Sequence, residues 1–229
     1  TWNIRWKNGT INVDDGSVSL QGSLQLIEDS IQQGVTDIIL TPHHNSRYKP
    51  QPDKLRVAFE EFKRAVKCEG YDINLYLGQE VFMFENYKQL FLENKVLTLN
   101  DSEYILIEYD YNNVGDVTEI VYELVRLGYK PIVAHPERYD ITVEQLTEIK
   151  NIGGYVQINA SSVVENRLGK MHRKVVKFLK LGLVDFVASD VHCLRKNRFL
   201  SASKYIEKKY GKQVKEQLFT LNAQKIIKG

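Results

Sequence analysis

Short apolar runs alternate with longer amphipathic segments along most of this chain. The runs are rich in β-branched and aromatic residues and have the length of strands buried on both faces, as in parallel sheets. They cover residues 37–41, 74–78, 104–108, 131–134, 155–158 and 185–188, with a further candidate at 2–6. The pattern predicts seven strands.

Amphipathic segments with apolar residues at helical spacing separate these strands, and most of them end near a glycine that stops a helix. They predict helices at residues 19–33, 52–69, 116–127, 143–151, 170–181 and 201–210. Alternation of strand and helix favours a parallel sheet with right-handed crossovers. Seven strands suit a distorted TIM-like (β/α)7 barrel better than an open sheet. We therefore predict an α/β barrel formed by residues 1–229 as a single domain.

Length, charge and cysteine usage narrow the range of functions. A chain of 229 residues suits a single α/β barrel. With 31 basic and 29 acidic residues the net charge is +2, so nucleic acid is not an expected partner. No apolar run reaches the roughly 18 residues of a membrane span, and we expect no membrane insertion. The two cysteines, Cys68 and Cys193, suit the cytoplasm rather than a disulfide-stabilised secreted protein.

Polar residues follow the predicted strands at their carboxyl ends, where β/α barrels place their chemistry. Histidines and carboxylates recur there: His43, His44, Glu80, Glu108, His135, Glu137, Asp190 and His192. Clustered carboxylates repel one another and are poorly solvated, and a divalent cation would compensate for both effects. Mixed nitrogen and oxygen ligands suit Zn, Mn or Fe, whereas carboxylate-rich sites favour Mn or Mg. The strand ends therefore predict a metal site.

Arg138 follows His135 by three residues and is placed to hold phosphate oxygens through two parallel hydrogen bonds. Metal ions at such a site polarise phosphoryl groups and lower the pKa of bound water towards about 7. The residues therefore predict phosphoester hydrolysis. His172 lies among basic residues of a predicted helix, and we interpret it as part of a solvated face. For His44, a place behind the ligands, a substrate contact and simple exposure remain open.

Several short motifs occur in a fixed order along nearly the whole chain. They are Asp14-Asp15-Gly16-Ser17, Thr41-Pro42-His43-His44, Gly78-Gln79-Glu80-Val81, Leu97-Thr98-Leu99-Asn100-Asp101, Ala134-His135-Pro136-Glu137-Arg138-Tyr139 and Ala188-Ser189-Asp190-Val191-His192. With these motifs the chain resembles the PHP superfamily (polymerase and histidinol phosphatase). Within it, the chain is most similar to the metal-dependent bacterial protein-tyrosine phosphatases of capsule and exopolysaccharide gene clusters.

The resemblance implies a manganese-preferring polynuclear centre, with Mg, Fe or Zn as alternatives, and metal-activated hydroxide as the nucleophile. The implied metal ligands are Asp15, His43, Glu80, Glu108, His135, Asp190 and His192. Arg138 matches an arginine that binds substrate phosphate. Arg198 matches a second such arginine, with Arg195 as the alternative. The implied partner is a phosphotyrosine protein, in particular a bacterial tyrosine kinase.

The amino-terminal segment departs from this resemblance. The family begins with a strand ending in Asp-x-His-x-His, whose two histidines bind metal, but Arg5 and Lys7 stand at those positions here. A protonated guanidinium or ammonium group cannot ligate a metal. Three explanations stay open: the protein works with fewer metals, the two cations replace the charge of one metal and weaken or abolish activity, or the first residues are not the natural terminus.

These residues leave several functions to compare. The main prediction is a protein-tyrosine phosphatase that regulates capsule or exopolysaccharide synthesis. The alternative is a weakened or inactive pseudophosphatase that binds phosphotyrosine, and a third possibility is another PHP phosphoesterase such as a histidinol phosphatase. A thiolate mechanism through Cys193 is disfavoured because no Cys-x5-Arg phosphate loop follows either cysteine.

Overall fold

The structure, a computed structural model, describes residues 19–84, 86–109, 117–191 and 196–228. The candidate strand at 2–6 lies outside the described residues, and so do Asp15 and His192. The same holds for Arg5 and Lys7.

All six of the other predicted strands are confirmed, and every described strand pairing is parallel. The strands are β1 (Asp37–Leu40), β2 (His43–His44), β3 (Asn74–Leu77), β4 (Glu80–Phe82), β5 (Tyr104–Glu108), β6 (Lys130–Ala134), β7 (Tyr155–Asn159) and β8 (Phe186–Ala188). One sheet pairs β1 with β3, and a second has the order β2-β4-β5-β6-β7-β8. A parallel α/β fold is thus confirmed, while no closed barrel is seen in the hydrogen bonding of the described strands.

Backbone hydrogen bonds connect the two-stranded sheet to the six-stranded sheet. The Gly78 amide donates to the Leu40 carbonyl (2.8 Å), and the Glu80 amide donates to the Pro42 carbonyl (3.1 Å). These bonds span the break between β1 and β2 and that between β3 and β4. The predicted strands at 37–41 and 74–78 therefore each continue, after two irregular residues, into a short second strand that carries site residues.

In the part of the chain that the structure describes, the helices confirm all six predicted segments and add four more. They are α1 (Leu20–Gln32), α2 (Pro52–Cys68), α3 (Tyr87–Leu92), α4 (Val117–Arg126), α5 (Val143–Asn151), α6 (Ala160–Val164), α7 (Lys170–Lys180), α8 (Phe199–Tyr210), α9 (Lys212–Glu216) and α10 (Asn222–Lys228). The α3 and α6 segments are too short to show helical periodicity. A π-helical turn, Gln217–Leu221, joins α9 to α10 and interrupts the 3.6-residue repeat there. None of the described helices is long and apolar enough to cross a membrane.

Alternating residues of β5 enter two different parts of the core. Ile105 and Ile107 belong to the cluster that packs the outer face of the sheet against helices. Leu106 belongs to a second cluster on the opposite face, with Ile132 and with Ile226 of α10. Both faces of the sheet are thus buried, as the near-continuous apolar runs predict. Glu108 shares the inner face with Leu106, which places its carboxylate at the carboxyl end of that face.

The interpretation of His172 as part of a solvated face is wrong. This residue of α7 is only 8% exposed. Its Nδ1 lies 3.3 Å from the Ser162 carbonyl oxygen, and its ring packs edge-on against Tyr205 at 6.1 Å between centroids. Lys170, Arg173 and Lys174 misled the prediction because they lie only one or two positions from His172. Such positions point to other faces of a helix, so these charges say nothing about the face that His172 occupies.

Gly78 is required by close packing just before the site. A Cβ built there would lie 2.5 Å from Leu99 Cδ2 and 3.1 Å from Leu99 Cα. We expect Gly78→Ala to lower the free energy of unfolding by about 1–3 kcal/mol, measured by denaturant titration, because the core has no room for the methyl group. In a Leu99→Ala background the same substitution should cost less. Equal costs in both backgrounds would contradict the packing explanation.

Candidate metal centre

Four predicted metal ligands meet at the carboxyl ends of neighbouring strands. Glu80 of β4 lies between two histidines: its Oε1 is 3.0 Å from His135 Nε2, and its Oε2 is 3.8 Å from His43 Nδ1. Glu108 of β5 repeats this arrangement, at 3.6 Å from His135 Nε2 and 3.7 Å from His43 Nδ1. The strand order β2-β4-β5-β6 brings these side chains together because each belongs to, or directly follows, one of four adjacent strands.

The pKa values of the two carboxylates are shifted in opposite directions. Burial raises the pKa of Glu80, but the hydrogen bond and charge of His135, with the charges of His43 and Arg138, outweigh it and lower that pKa overall. Burial and the charge of Glu80 raise the pKa of Glu108. Burial lowers the pKa of His135, yet Glu80 raises it overall. The cluster therefore draws positive charge towards it, as protons or as a cation.

This donor set fits a divalent cation. One donor atom each from His43, Glu80 and Glu108 lie within 4.8 Å of one another. Ligands bound at about 2.1 Å from a metal lie roughly 3–3.5 Å apart in tetrahedral or octahedral geometry. The observed 3.0–3.8 Å separations between imidazole nitrogens and carboxylate oxygens match that spacing with little movement. Two imidazoles with two carboxylates form a set that suits Mn, Fe or Zn.

Arg138 and Asp190 lie beside this cluster and form an ion pair. Arg138 Nη2 donates to Asp190 Oδ2 at 2.8 Å, and the same oxygen accepts from Asn159 Nδ2 at 2.7 Å. Both residues line a cavity of about 420 Å³ with His43, Glu108 and His135. A planar guanidinium in such a cavity can bind an anion through parallel hydrogen bonds.

Two of these residues adopt left-handed backbone conformations. His135, directly after β6, has φ = 35°, and Asp190, two residues after β8, has φ = 47°. Such a conformation costs a residue other than glycine about 1–3 kcal/mol, and strained residues cluster at functional sites. The chain thus accepts backbone strain at two strand ends whose side chains enter the cavity.

Arg198 lies elsewhere in the described structure. Its Nε donates to Glu165 Oε1 at 2.6 Å, at the start of α8, and it is not among the residues that line the cavity. Its assignment to substrate phosphate stays a prediction, and so does that of Asp190 to metal. Asp15, His192, Arg195 and Cys193 lie outside the described residues.

Comparison with known proteins identifies the family to which this chain belongs. The sequence model for "Capsular polysaccharide synthesis, CpsB/CapC" matches residues 10–228. The chain belongs to the CpsB/CapC family. The predicted resemblance to capsule-cluster proteins is thereby confirmed.

Relatives of this CpsB/CapC chain are similar over most of their length. Tyrosine-protein phosphatase CpsB of Streptococcus agalactiae serotype V is 33% identical over 231 aligned residues, covering 95% of this chain and 94% of the relative. Tyrosine-protein phosphatase YwqE of Bacillus subtilis is 30% identical over 223 residues, covering 94% and 87%.

Solved structures support the same grouping. One described as the crystal structures of YwqE from Bacillus subtilis and CpsB from Streptococcus pneumoniae, "unique metal-dependent tyrosine phosphatases", superimposes with a TM-score of 0.88. It is 28% identical and covers 95% of this chain and 91% of that one. Histidinol phosphate phosphatase from Lactococcus lactis, at 13% identity and a TM-score of 0.52, shares the fold alone.

The structure of this CpsB/CapC chain adds two supporting residues that are not among the implied metal or phosphate ligands. The Tyr139 hydroxyl lies 2.9 Å from His135 Nδ1, and burial raises the pKa of Tyr139. The buried Glu137 accepts the Asn159 amide at 2.9 Å, and burial raises its pKa as well. Both residues follow His135 within four positions and belong to the motif at residues 134–139. Membership of that motif is the sequence feature that could have indicated their role.

His44 is buried, which excludes simple exposure among the three roles left open for it. It is 4% exposed and lies on β2 directly after His43. Burial, followed by the charge of Lys49, lowers its pKa. Its Nδ1 has no hydrogen-bond partner among the residues that the structure describes. Of the three roles, a place behind the ligands and a substrate contact therefore stay open.

Proposed function

We propose that this protein is a metal-dependent phosphatase that hydrolyses phosphotyrosine on proteins and acts in capsule or exopolysaccharide synthesis. The observation that carries the proposal is the clustering of donor atoms from His43, Glu80 and Glu108, with His135 against both carboxylates. Arg138 lines the same cavity. The names of the CpsB and YwqE relatives support this activity.

The residues divide into a metal-binding group and a phosphate-binding group. The two imidazoles and two carboxylates hold the cation, which when bound polarises the phosphoryl group and lowers the pKa of water. Arg138 holds phosphate oxygens and neutralises their charge as it builds up. Asp190 and Asn159 keep the guanidinium at the cavity wall. Hydrolysis joins a water oxygen to phosphorus and breaks the bond to the tyrosyl oxygen, releasing inorganic phosphate.

Manganese is the metal we propose, with Mg, Fe or Zn as alternatives, because the family resemblance implies a manganese-preferring centre and the imidazole and carboxylate ligands accept Mn. Asp15, Asp190 and His192 complete the proposed ligand set, and Arg198 is the proposed second phosphate ligand. Because Arg5 and Lys7 replace two ligand histidines of the resemblance, we expect one or two bound divalent ions per chain.

The test is phosphate release from a phosphotyrosyl peptide by protein stripped with a chelator and then titrated with Mn²⁺, Mg²⁺, Fe²⁺ or Zn²⁺. We expect activity to be lost on stripping and restored best by Mn²⁺, with elemental analysis giving the ion count. No activity and no bound metal after Mn²⁺ reconstitution would overturn the proposal.

A phosphotyrosine-binding module is the second candidate, and the sequence at Arg5 and Lys7 favours it. The double substitution Arg5→His with Lys7→His separates the two. A large gain in turnover from a nearly inactive parent would favour the binding module, whereas an active parent supports the enzyme.

The substrate protein, the cellular location and the closure of the barrel are further parts of this proposal. We propose a bacterial tyrosine kinase as the substrate protein and the cytoplasm as the location, which two cysteines in 229 residues suit. We also propose that the described strands belong to one distorted (β/α)7 barrel, completed by residues 2–6, in a single domain. Their pairing in chain order supports this arrangement.

Tyr139 offers a test of how the metal ligands are positioned. If His135 binds metal through Nε2, its Nδ1 carries the proton and donates to the Tyr139 oxygen, which fixes the tautomer. We expect Tyr139→Phe to weaken Mn²⁺ binding about 10- to 100-fold in calorimetry. Tyr104→Phe, at the other end of β5, is the control and should bind Mn²⁺ normally. Unchanged affinity in Tyr139→Phe would contradict the positioning role.

A further inference from the structure

Two aromatic side chains line the cavity without a part in metal or phosphate binding. Phe82 and Tyr48 form its wall together with His43, Glu108 and Arg138. Tyr48 is 7% exposed, and Phe82 is half-buried. A site that needed only a cation and a phosphate group would gain nothing from two aromatic rings at this place.

The strand β4 fixes where Phe82 lies. It follows Glu80 by two residues, on the same face of the strand, and it pairs in register with Glu108. Residues two apart in a strand are separated by about 7 Å. That distance is close to the length of a phenyl ring with its ester oxygen. A phosphate held at the metal ligands and Arg138 would therefore direct an aryl ester group towards Phe82.

Tyr48 comes from the loop after the adjacent strand, β2, whose His43 pairs with Glu80. The loop is held as a tight turn, because Asn45 Oδ1 accepts the amides of Arg47 and Tyr48 at 3.0 and 2.9 Å. The Asn45 amide in turn donates to the Tyr48 carbonyl at 2.7 Å. The Arg47 guanidinium lies over the Tyr48 ring, 5.3 Å from its centroid. Tyr48 is thus fixed before any ligand arrives.

We propose that Phe82 and Tyr48 form an aryl-binding slot that selects phosphotyrosine over phosphoserine and phosphothreonine. The inference rests on the proposed phosphatase function and names the group that sets its substrate class. A tyrosyl ring fills the space between the two side chains and removes apolar surface from water. A seryl or threonyl ester leaves that surface exposed to solvent.

The test compares two phosphonates that differ only by the ring. Calorimetry on the Mn²⁺-loaded full chain measures binding of phenylphosphonate and methylphosphonate. We expect the wild type to bind the phenyl compound about 2- to 10-fold more tightly, the range of one aromatic contact. Phe82→Leu should reduce this ratio to near 1 and leave methylphosphonate binding unchanged. Phe82→Tyr, which keeps the ring, should retain the preference.

Phe59→Leu is the matched control, because Phe59 is a half-buried phenylalanine of α2 that does not line the cavity. It should keep the wild-type ratio. An unchanged ratio in Phe82→Leu, with both ligands still bound, would overturn the aryl slot alone. If the wild type binds neither phosphonate, the phosphate site itself is wrong, and the proposed function falls together with the slot.

Discussion

Replacing Glu80 by glutamine is expected to lower both Mn²⁺ affinity and kcat/KM for a phosphotyrosyl peptide by more than about 100-fold. Glu80 is 1% exposed and faces both His43 and His135, so its two oxygens lie at the centre of the donor set. Glutamine keeps the shape but removes the negative charge that attracts the cation. Changes behind a metal ligand already cost about 10- to 100-fold, and loss of a central ligand should cost more.

Glu103→Gln is the matched control for this variant. Glu103 is an exposed carboxylate directly before β5, at the end of the sheet opposite to the site, where it pairs with Lys130. We expect it to leave metal affinity and kcat/KM unchanged. A Glu80→Gln protein that binds Mn²⁺ with wild-type affinity would remove the basis for placing the metal here.

The stability of the Glu80→Gln variant is also expected to depend on pH in a characteristic way when metal is absent. The pKa of Glu80 is lowered from an ordinary value of 4.5, so its ionised form stabilises the fold above that pH and stops doing so as pH falls through the folded value. The pKa of His135 is raised from 6.5, so its protonated form stabilises the fold below that pH and stops doing so as pH rises through the folded value. Glu80→Gln should therefore destabilise the metal-free protein most between about pH 4.5 and 6.5, and less at about pH 9.

Arg138→Lys is expected to lower kcat/KM about 100-fold while Mn²⁺ affinity stays within a few-fold of wild type. Lysine keeps the positive charge but loses the planar pair of donors that matches phosphate oxygens. Loss of one such transition-state donor costs about 100- to 1,000-fold in other enzymes. Parallel steady-state kinetics and metal titration separate this effect from a damaged metal site.

Arg198→Lys provides the comparison for Arg138. Arg198 is paired with Glu165 near the surface, and such exposed pairs contribute little, about 0–1 kcal/mol. Its side chain can therefore leave Glu165 for a bound phosphate at small cost. We expect a smaller effect, a few-fold rise in KM. If the lysine variants at positions 138 and 198 lose equal activity, the greater importance assigned to Arg138 is wrong.

The apolar pattern determined the strands and most helices because burial on both faces of a parallel sheet demands continuous apolar runs. The predicted bounds of α5, residues 143–151, match the structure, in which a capping box of Thr142 and Gln145 marks its start. The residues at the predicted strand ends also included every member of the metal cluster described here. Chemistry at the carboxyl ends of parallel strands is a local sequence feature, so His43, Glu80, Glu108 and His135 could be found without coordinates.

Only the tertiary structure decided how these residues pair and what surrounds them. From the sequence, Arg138 is predicted to bind phosphate and Asp190 to bind metal. Their mutual ion pair depends on β6 and β8 lying two strands apart, which the sequence does not reveal. His172 was misjudged because a charge run does not reveal which helix face meets the core. In the sequence, Phe82 resembled an ordinary apolar residue, and Tyr139 was a motif residue without an assigned contact. Their contacts depend on register between distant strands and on turns after them, and hydrophobic periodicity carries no information about either.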